Sequence, residues 1–315
     1  MSAIPVAVVQ AGSVLFDSAA ATDKVCRMTR EAAAGGARLI VFPEAMIGGY
    51  PRGFGFGITV GNRTPEGRQL WQRYWDAAID VPGPSVAAIG DVCRELNVTV
   101  AVGVIERETQ PARGTVFCTL LIIGPDGRLI GKHRKLKPTA AERLVWGEGD
   151  GSSLQVYDTP LGRLGGLICW ENYMPLARMT LYAQGIEIYL APTADPRDTW
   201  LATMRHIACE GRCFVLSCNQ FTTRSMYPAD LQTSPELNGL PEILCRGGSV
   251  IVSPLGEVLA GPLYDQEGML TATIDRDRVT RAKLDFDVAG NYARPDVFRL
   301  HVDRRQQRAV GFEDT

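Results

Sequence analysis

Arg163-Leu164-Gly165-Gly166-Leu167-Ile168-Cys169-Trp170-Glu171-Asn172 is the stretch from which the rest of the chain can be read. Leu164 to Ile168 is an apolar run of the kind a buried strand shows. At Cys169 the sequence turns polar, and Pro175 is followed by Leu176, Met179, Leu181 and Tyr182 at helical spacing. Cys169 is therefore expected where a strand ends and a helix begins, a place where free N–H groups favour a thiolate and lower its pKa. Gly165 and Gly166 let another backbone or a ligand come close to the strand. Against this, most buried cysteines are inert packing, and the chain has eight.

Outward from this stretch the chain alternates apolar runs with helical patterns. Residues 6–10 and 39–42 read as strands around an amphipathic helix at 18–34, a βαβ start. A Gly- and aromatic-rich loop at 48–64 leads to helices at 67–79 and 84–96, then strands at 98–104, 115–123 and 129–135. The second half repeats the plan, with strands at 164–168, 186–191, 214–218 and 248–253 and helices at 175–184 and 200–211; residues 222–246 form a polar excursion. Each half carries a similar late hairpin, Pro125-Asp126-Gly127-Arg128-Leu129-Ile130-Gly131 and Pro254-Leu255-Gly256-Glu257-Val258-Leu259-Ala260. This internal duplication predicts one α/β domain over 1–280: two sheets face to face, helices outside, with a doubly wound single sheet as the runner-up. From Arg281 the chain turns polar and aromatic and leaves the core as a C-terminal arm, 281–315.

Composition narrows the function classes. The net charge of −2 gives no footprint for nucleic acid or an anionic membrane. No apolar run approaches a membrane span, and the start lacks the basic and apolar regions of a signal peptide. The eight cysteines are scattered, mostly inside apolar segments, so reduced thiols in a cytoplasmic protein fit better than a disulfide framework.

Three further residues carry chemistry. Glu44 closes a strand in Phe42-Pro43-Glu44-Ala45, and a carboxylate at a strand end points into the usual ligand crevice of an α/β fold. In His133-Arg134-Lys135-Leu136-Lys137-Pro138, strand alternation puts His133, Lys135 and Lys137 on one face, although a solvated basic edge strand is the commoner case. Glu142 follows shortly. Together these supply what thiol attack on a C=O or C≡N carbon requires. Glu44 can act as base, and Lys135 and the Trp170 N–H can donate to the charge that builds on the substrate. Glu142 can hold the lysine or steer water.

With these residues in order, the chain resembles the nitrilase superfamily of carbon–nitrogen hydrolases, and within it the nitrilase branch. The motifs are Phe42-Pro43-Glu44-Ala45, His133 to Thr139 and Cys169-Trp170-Glu171-Asn172, supported by Gly49-Tyr50-Pro51-Arg52-Gly53-Phe54 and Trp146-Gly147-Glu148-Gly149-Asp150-Gly151. The resemblance implies an αββα sandwich of two pseudo-symmetric halves. It implies Glu44 as base, Lys135 as cation, Cys169 as nucleophile and Glu142 as supporting glutamate, with no cofactor and no metal. It further implies a small-molecule nitrile as substrate and a homodimer or larger homo-oligomer, spiral assemblies included. Tyr50, Phe54, Trp170, Glu171, Asn172 and His133 are the expected pocket or oxyanion residues. In the tail motif Asn291 stands where relatives usually have His. Cyanide-degrading enzymes and aliphatic amidases of the same superfamily are the alternatives. A Cys–His pair through His133 ranks below Glu44, a metal trio of His206, Cys209 and Cys213 below helix packing, and a binder without turnover below an enzyme.

Overall fold

A computed structural model of the chain describes residues 3–109, 114–307 and 310. In the first half, β1 (Ala3–Gln10) leads to α1 (Ser18–Ala34), which Asp17 caps by accepting from Ala20 N, and then to β2 (Leu39–Val41). The Gly-rich loop that follows holds a small hairpin, β3 (Ile58–Thr59) with β4 (Asn62–Arg63). The helix after it, α2 (Pro65–Asp76), starts earlier than the apolar pattern suggests, because Thr64 caps it and Pro65 suits its first turn. Then come α3 (Pro84–Leu96), β5 (Thr99–Arg107), β6 (Val116–Ile123) and β7 (Leu129–Arg134).

β8 (Tyr157–Thr159) closes the first half, and the second contains β9 (Gly162–Gly166), α4 (Pro175–Tyr182), β10 (Ile188–Thr193), α5 (Thr199–Gly211) and β11 (Phe214–Asn219). The polar excursion is more ordered than its composition suggests. It carries β12 (Phe221–Thr223) and the short α6 (Ala229–Gln232) and α7 (Pro235–Asn238), and its end is already part of the long β13 (Ile243–Val252). After β14 (Val258–Tyr264) comes β15 (Gly268–Asp275), a strand absent from the sequence reading, and then α8 (Asp277–Ala282). The strand is hard to see in sequence because only Ile274 in it is fully buried.

These strands make two sheets rather than one. The first runs β15-β1-β2-β5-β6-β7; the second runs β12-β13-β11-β10-β9-β8, with β14 also on β13. β1, β2 and β5 are parallel, and so are β9, β10 and β11. Each trio continues into antiparallel strands, β6 and β7 in one half and β13 and β14 in the other. On the opposite side each trio is flanked by an antiparallel strand from the other end of the topology: β8, which follows β7, pairs with β9, and β15, which follows β14, pairs with β1. The two halves thus exchange a strand and repeat one plan.

Alternation along the strands sets the layers. Val6, Val8, Leu39 and Val41 join Leu164, Ile188, Leu190 and Leu216 in the core between the sheets. Ala7, Val9, Ile40 and Phe42 face outward onto Val25 and Met28 of α1 and Ile89 and Cys93 of α3. Tyr189, Ala191 and Val215 face Leu181 of α4 and Trp200, Met204 and Ile207 of α5. The result is an αββα sandwich, and strands covered on both faces explain the near-continuous apolar runs. At Gly166 a Cβ would stand 2.1 Å from the Leu190 carbonyl, so the close approach anticipated there is one of backbone to backbone.

The arm leaves α8 and returns toward the second half, where Gln307 N donates to Asp150 Oδ2 at 2.7 Å and Arg304 to Gln155 at 3.1 Å. Residues 308–309 and 311–315 of the expected arm lie outside the described residues. Asn291 is exposed, and its side chain accepts from Asp287 N at 2.8 Å, which pins a local turn of the arm.

Candidate active site

The site lies at the carboxyl ends of β2 and of β9 and β10, where chain leaving the two sheets converges. Glu44 follows β2 on a turn in which Ala45 has φ 51°. Its carboxylate is fully buried. Oε1 accepts from Lys135 Nζ at 2.7 Å and from the Cys118 thiol at 3.5 Å, whereas Oε2 has no hydrogen-bond partner. The Gln220 side chain donates to the Glu44 carbonyl at 2.6 Å and fixes the backbone. From behind, Gly103 of β5 comes so close that a Cβ there would stand 2.3 Å from the Pro43 carbonyl and 2.6 Å from Glu44 Cα.

Lys135 follows β7, an edge strand, yet it is fully buried. The segment after Trp146 folds over that edge: Gly149 N donates to the Lys135 carbonyl at 2.8 Å, and the Trp146 ring lies 5.4 Å from the ammonium. Lys135 Nζ donates to Glu44 and, at 2.8 Å, to Glu142 Oε2. Glu142 is held in turn by the Tyr50 hydroxyl at 2.6 Å and by Thr139 N at 2.6 Å. Burial opposes the charge on Lys135, but the Glu44 and Glu142 carboxylates beside it outweigh that and hold its pKa well above the ordinary lysine range. Burial dominates at Glu44 and raises its pKa; Lys135 works against the rise and Glu142 adds to it.

Cys169 opens a 3-10 turn, Cys169–Tyr173, with φ 50°, a left-handed conformation that costs a non-glycine residue about 1–2 kcal/mol. Neighbouring side chains lock it. Asn172 Nδ2 donates to the carbonyls of Leu167 at 3.0 Å and Cys169 at 2.8 Å, while Asn172 Oδ1 accepts from the Tyr189 hydroxyl. Glu171 accepts from Ile168 N at 2.8 Å, Leu136 N at 2.6 Å and His133 Nε2 at 3.0 Å, and His133 Nδ1 meets Ser153 Oγ at 3.0 Å. Sγ accepts from the Thr193 hydroxyl at 3.2 Å. The turn does not make a thiolate. Burial pushes the thiol far above its usual value and the Glu44 carboxylate adds to this, against the opposing pull of Lys135 and Thr193. A single short turn is too weak a field to offset that desolvation.

The structure therefore brings Glu44, Lys135, Glu142 and Cys169 together, with the Tyr50 hydroxyl on Glu142. It places the other expected pocket residues differently. Glu171, Asn172 and His133 are buried struts behind the Cys169 turn, and Phe54 packs in the core beside Tyr227 at 5.7 Å. The Trp170 side chain is 40% exposed, donates to Asp195 at 2.9 Å and stacks under Arg197 at 4.5 Å. Lys137 is at the surface beside Glu148, away from His133 and Lys135. His206 sits 3.5 Å from Glu210 on the outside of α5 while Cys213 is buried, and no group of metal-ligating side chains occurs among the described residues. Thr193, Cys118 and Gln220 were missed in the sequence; Thr193 alone had a signal, being a polar end to the strand beside β9.

The carbon-nitrogen hydrolase family model matches residues 5–284. The chain belongs to that family. It is 54% identical to a nitrilase of Bradyrhizobium diazoefficiens over 96% of this chain and 93% of that one. It is 52% identical to an aliphatic nitrilase of Sinorhizobium fredii, over 98% and 99%. A bifunctional nitrilase/nitrile hydratase of Lupinus angustifolius is 50% identical over 97% and 87%. The fold is similar to a Helicobacter pylori carbon-nitrogen hydrolase, with TM-score 0.73 at 20% identity over 94% and 97% of the two chains. It is also similar to the yeast nitrilase-superfamily protein Nit3, with TM-score 0.71 at 20% identity over 92% and 97%. The chain is thus a carbon–nitrogen hydrolase of the nitrilase type.

Two expectations follow from the packing and the charges. Gly103→Ala should push the Glu44 backbone out of place and lower turnover by about 10²-fold, the cost of a misplacement near 1 Å; turnover and a thermal melt on the same sample check this, and parental activity in a folded variant would contradict it. A reaction that uses ionised Glu44 should lose rate on acidification already above the ordinary glutamate value of about 4.3. Because Lys135 lowers the pKa of Glu44, Lys135→Ala should move this acid limb to higher pH; a pH–rate profile of residual activity with an unmoved or lower limb would refute the assignment.

Proposed function

We propose that the chain hydrolyses an organic nitrile to the carboxylic acid and ammonia, consuming two waters, through a thioimidate and then a thioester on Cys169. The observation that carries this reading is the buried Glu44 carboxylate, with one oxygen engaged by Lys135 and the other unpartnered, in the enclosure that holds a neutral thiol. A neutral thiol needs a base at the moment of attack, and an unpartnered carboxylate oxygen can be one. In the first step the Sγ–H proton passes to Glu44 as sulfur bonds to the nitrile carbon, and the nitrogen takes a proton to give the thioimidate. Water then loses a proton to Glu44 and adds to the same carbon. The nitrogen gains a proton, the C–N bond breaks and ammonia leaves a thioester. A second water adds in the same way, the C–S bond breaks, and acid and free thiol are released. Lys135 stabilises the negative charge of each tetrahedral adduct. Glu142 holds Lys135, and the Trp170 N–H is assigned as a second donor.

If the C–S bond breaks before the C–N bond, the product is the amide. Relatives named bifunctional nitrilase/nitrile hydratase support amide as a minor product. Cys169→Ala should retain the fold and release no ammonia. Glu44→Gln and Lys135→Ala should each lose a hundredfold or more, since such a donor contributes on the order of 2.7–4 kcal/mol. Ammonia release, product analysis and circular dichroism on aliphatic, arylacetic and aromatic nitriles, cyanide and one matching amide test the reading together. Either variant within about threefold of parental rate, or an amide turned over faster than every nitrile, would overturn it.

Residues 1–280 are read as the hydrolase domain and 281–315 as an assembly arm. Supporting this, the family match ends at 284, and exposed apolar residues include Leu176 (67%) at the start of α4 and Leu284 (86%) and Phe298 (77%) on the arm. The chain should form at least a dimer in solution; light scattering at micromolar concentration that finds only one-chain mass would exclude it.

A further inference from the structure

Two arginines lie near Cys169, and they differ in their partners. Arg197 is neutralised by Asp195, which accepts from its Nε at 2.8 Å and its Nη2 at 2.5 Å. Arg52 belongs to the loop after β2 and is half-buried. Its Nη2 donates to the Ala194 carbonyl and its guanidinium lies 5.1 Å from the centre of the Tyr50 ring. Its Nε is buried without a hydrogen-bond partner. Among the described residues no carboxylate pairs with it.

The position is set by both halves of the fold. Tyr50, under the guanidinium, holds Glu142 through its hydroxyl. Ala194, which accepts from Nη2, adjoins Thr193, whose hydroxyl donates to Cys169 Sγ. The Arg52 carbonyl accepts from the Tyr227 hydroxyl at 2.8 Å, so the loop is pinned and the cation cannot simply swing into solvent. The groups nearest in charge terms are Cys245, Tyr50, Tyr227 and Cys169, and burial raises the pKa of all four. Near neutral pH each is uncharged, so none of the four neutralises the guanidinium. A half-buried cation left unpaired is costly, and a ligand that supplies the anion recovers that cost. Arginine suits this because its planar fork binds a carboxylate through two parallel N–H groups, and one carbonyl contact leaves most of its donors free.

Resting on the nitrilase reading, we propose that Arg52 is a specificity-determining residue that binds an anionic substituent, a carboxylate, on the nitrile substrate. The substrate class is then a cyano carboxylate, with the nitrile carbon at Cys169 and the carboxylate at Arg52.

The probes are cyanobutanoate, with its cyano group at the chain end, and the methyl ester of the same molecule. Binding is read by calorimetry on the folded Cys169→Ala protein, which needs no turnover; kcat/KM is read on the parental enzyme. We expect the carboxylate to bind at least tenfold tighter than the ester and to be preferred in kcat/KM by a similar factor, mostly through KM. Arg52→Gln should cut that preference tenfold or more, and Arg52→Lys should keep part of it, because it retains charge without the fork. Equal binding of acid and ester to Cys169→Ala, or a preference that survives in a cooperatively melting Arg52→Gln, would overturn the assignment. Failure of the nitrilase reading is a separate result: tighter binding of the carboxylate with no ammonia from any nitrile would leave Arg52 as an anion site and remove the reaction.

Discussion

The structure depends on one buried ammonium. Lys135 is sealed from water between Glu44 and Glu142, and an ammonium taken out of water carries a penalty of several kcal/mol unless such partners stand beside it. The two carboxylates come from separate places, one from the end of β2 and one from the 3-10 turn after β7, so the pairing ties the middle of the first sheet to its β7 edge. Much of the surrounding detail follows from keeping that pairing in register. Gly103 and Gln220 fix the Glu44 backbone, Tyr50 and the Thr139 N–H fix Glu142, and the segment after Trp146 closes over an edge strand that would otherwise be wet. With two carboxylates for one ammonium the enclosure tends toward negative charge. This is why burial succeeds in raising the pKa of Glu44 and in keeping Cys169 protonated.

The duplicated fold supplies the crevice, not the chemistry. β1, β2 and β5 correspond in order and direction to β9, β10 and β11, and each trio receives its outer antiparallel strand from the other half. By that correspondence Glu44, after β2, matches Thr193, at the end of β10, and Cys169, after β9, matches the end of β1. There Gln10 is spent on structure, accepting from Gly248 N at 3.0 Å and Ser249 N at 3.1 Å. Equivalent strand ends therefore face each other across the sheets with different residues. The pair that serves the proposed reaction, carboxylate and thiol, draws one member from each half.

The legible parts of the sequence were those set by local rules. α1 and α3 ended where their caps and breakers put them, because Gly35-Gly36 and Asn97 leave the helix no continuation. The parallel strands were legible because both faces are covered and the runs are uninterrupted. β15 was not: it is half-exposed along its length, and its place depends on β1, more than two hundred residues away. The turn at Cys169 was legible as a turn. Its effect on the thiol was not, because the pKa is set by burial and by Glu44, and neither is local to Cys169. For the same reason the motif placed Glu171, Asn172 and His133 beside the site but not the hydrogen bonds they make behind the Cys169 turn; a motif gives positions in the chain and not the direction of side chains. Thr193 and Gln220 reach the site only through tertiary packing.

The directions of the pKa shifts assign roles within the proposed cycle. A group that relays protons must exchange them near working pH, and Lys135, held well above the ordinary lysine range, cannot. It acts as fixed charge. Glu44 is raised toward working pH, and its Oε2 has no donor to satisfy it, so one carboxylate can receive the thiol proton, deliver it to nitrogen, and repeat the exchange with each water. It ends each half-reaction ionised, as it began. Burial raises the Cys169 thiol, so in the proposed cycle it would stay neutral until substrate arrives. In the proposed reaction the nucleophile is activated only when a bound electrophile lets the proton and the electron pair leave sulfur together, and the left-handed turn at Cys169, locked by Asn172 and Glu171, is what would hold sulfur at the strand end, in reach of that carbon.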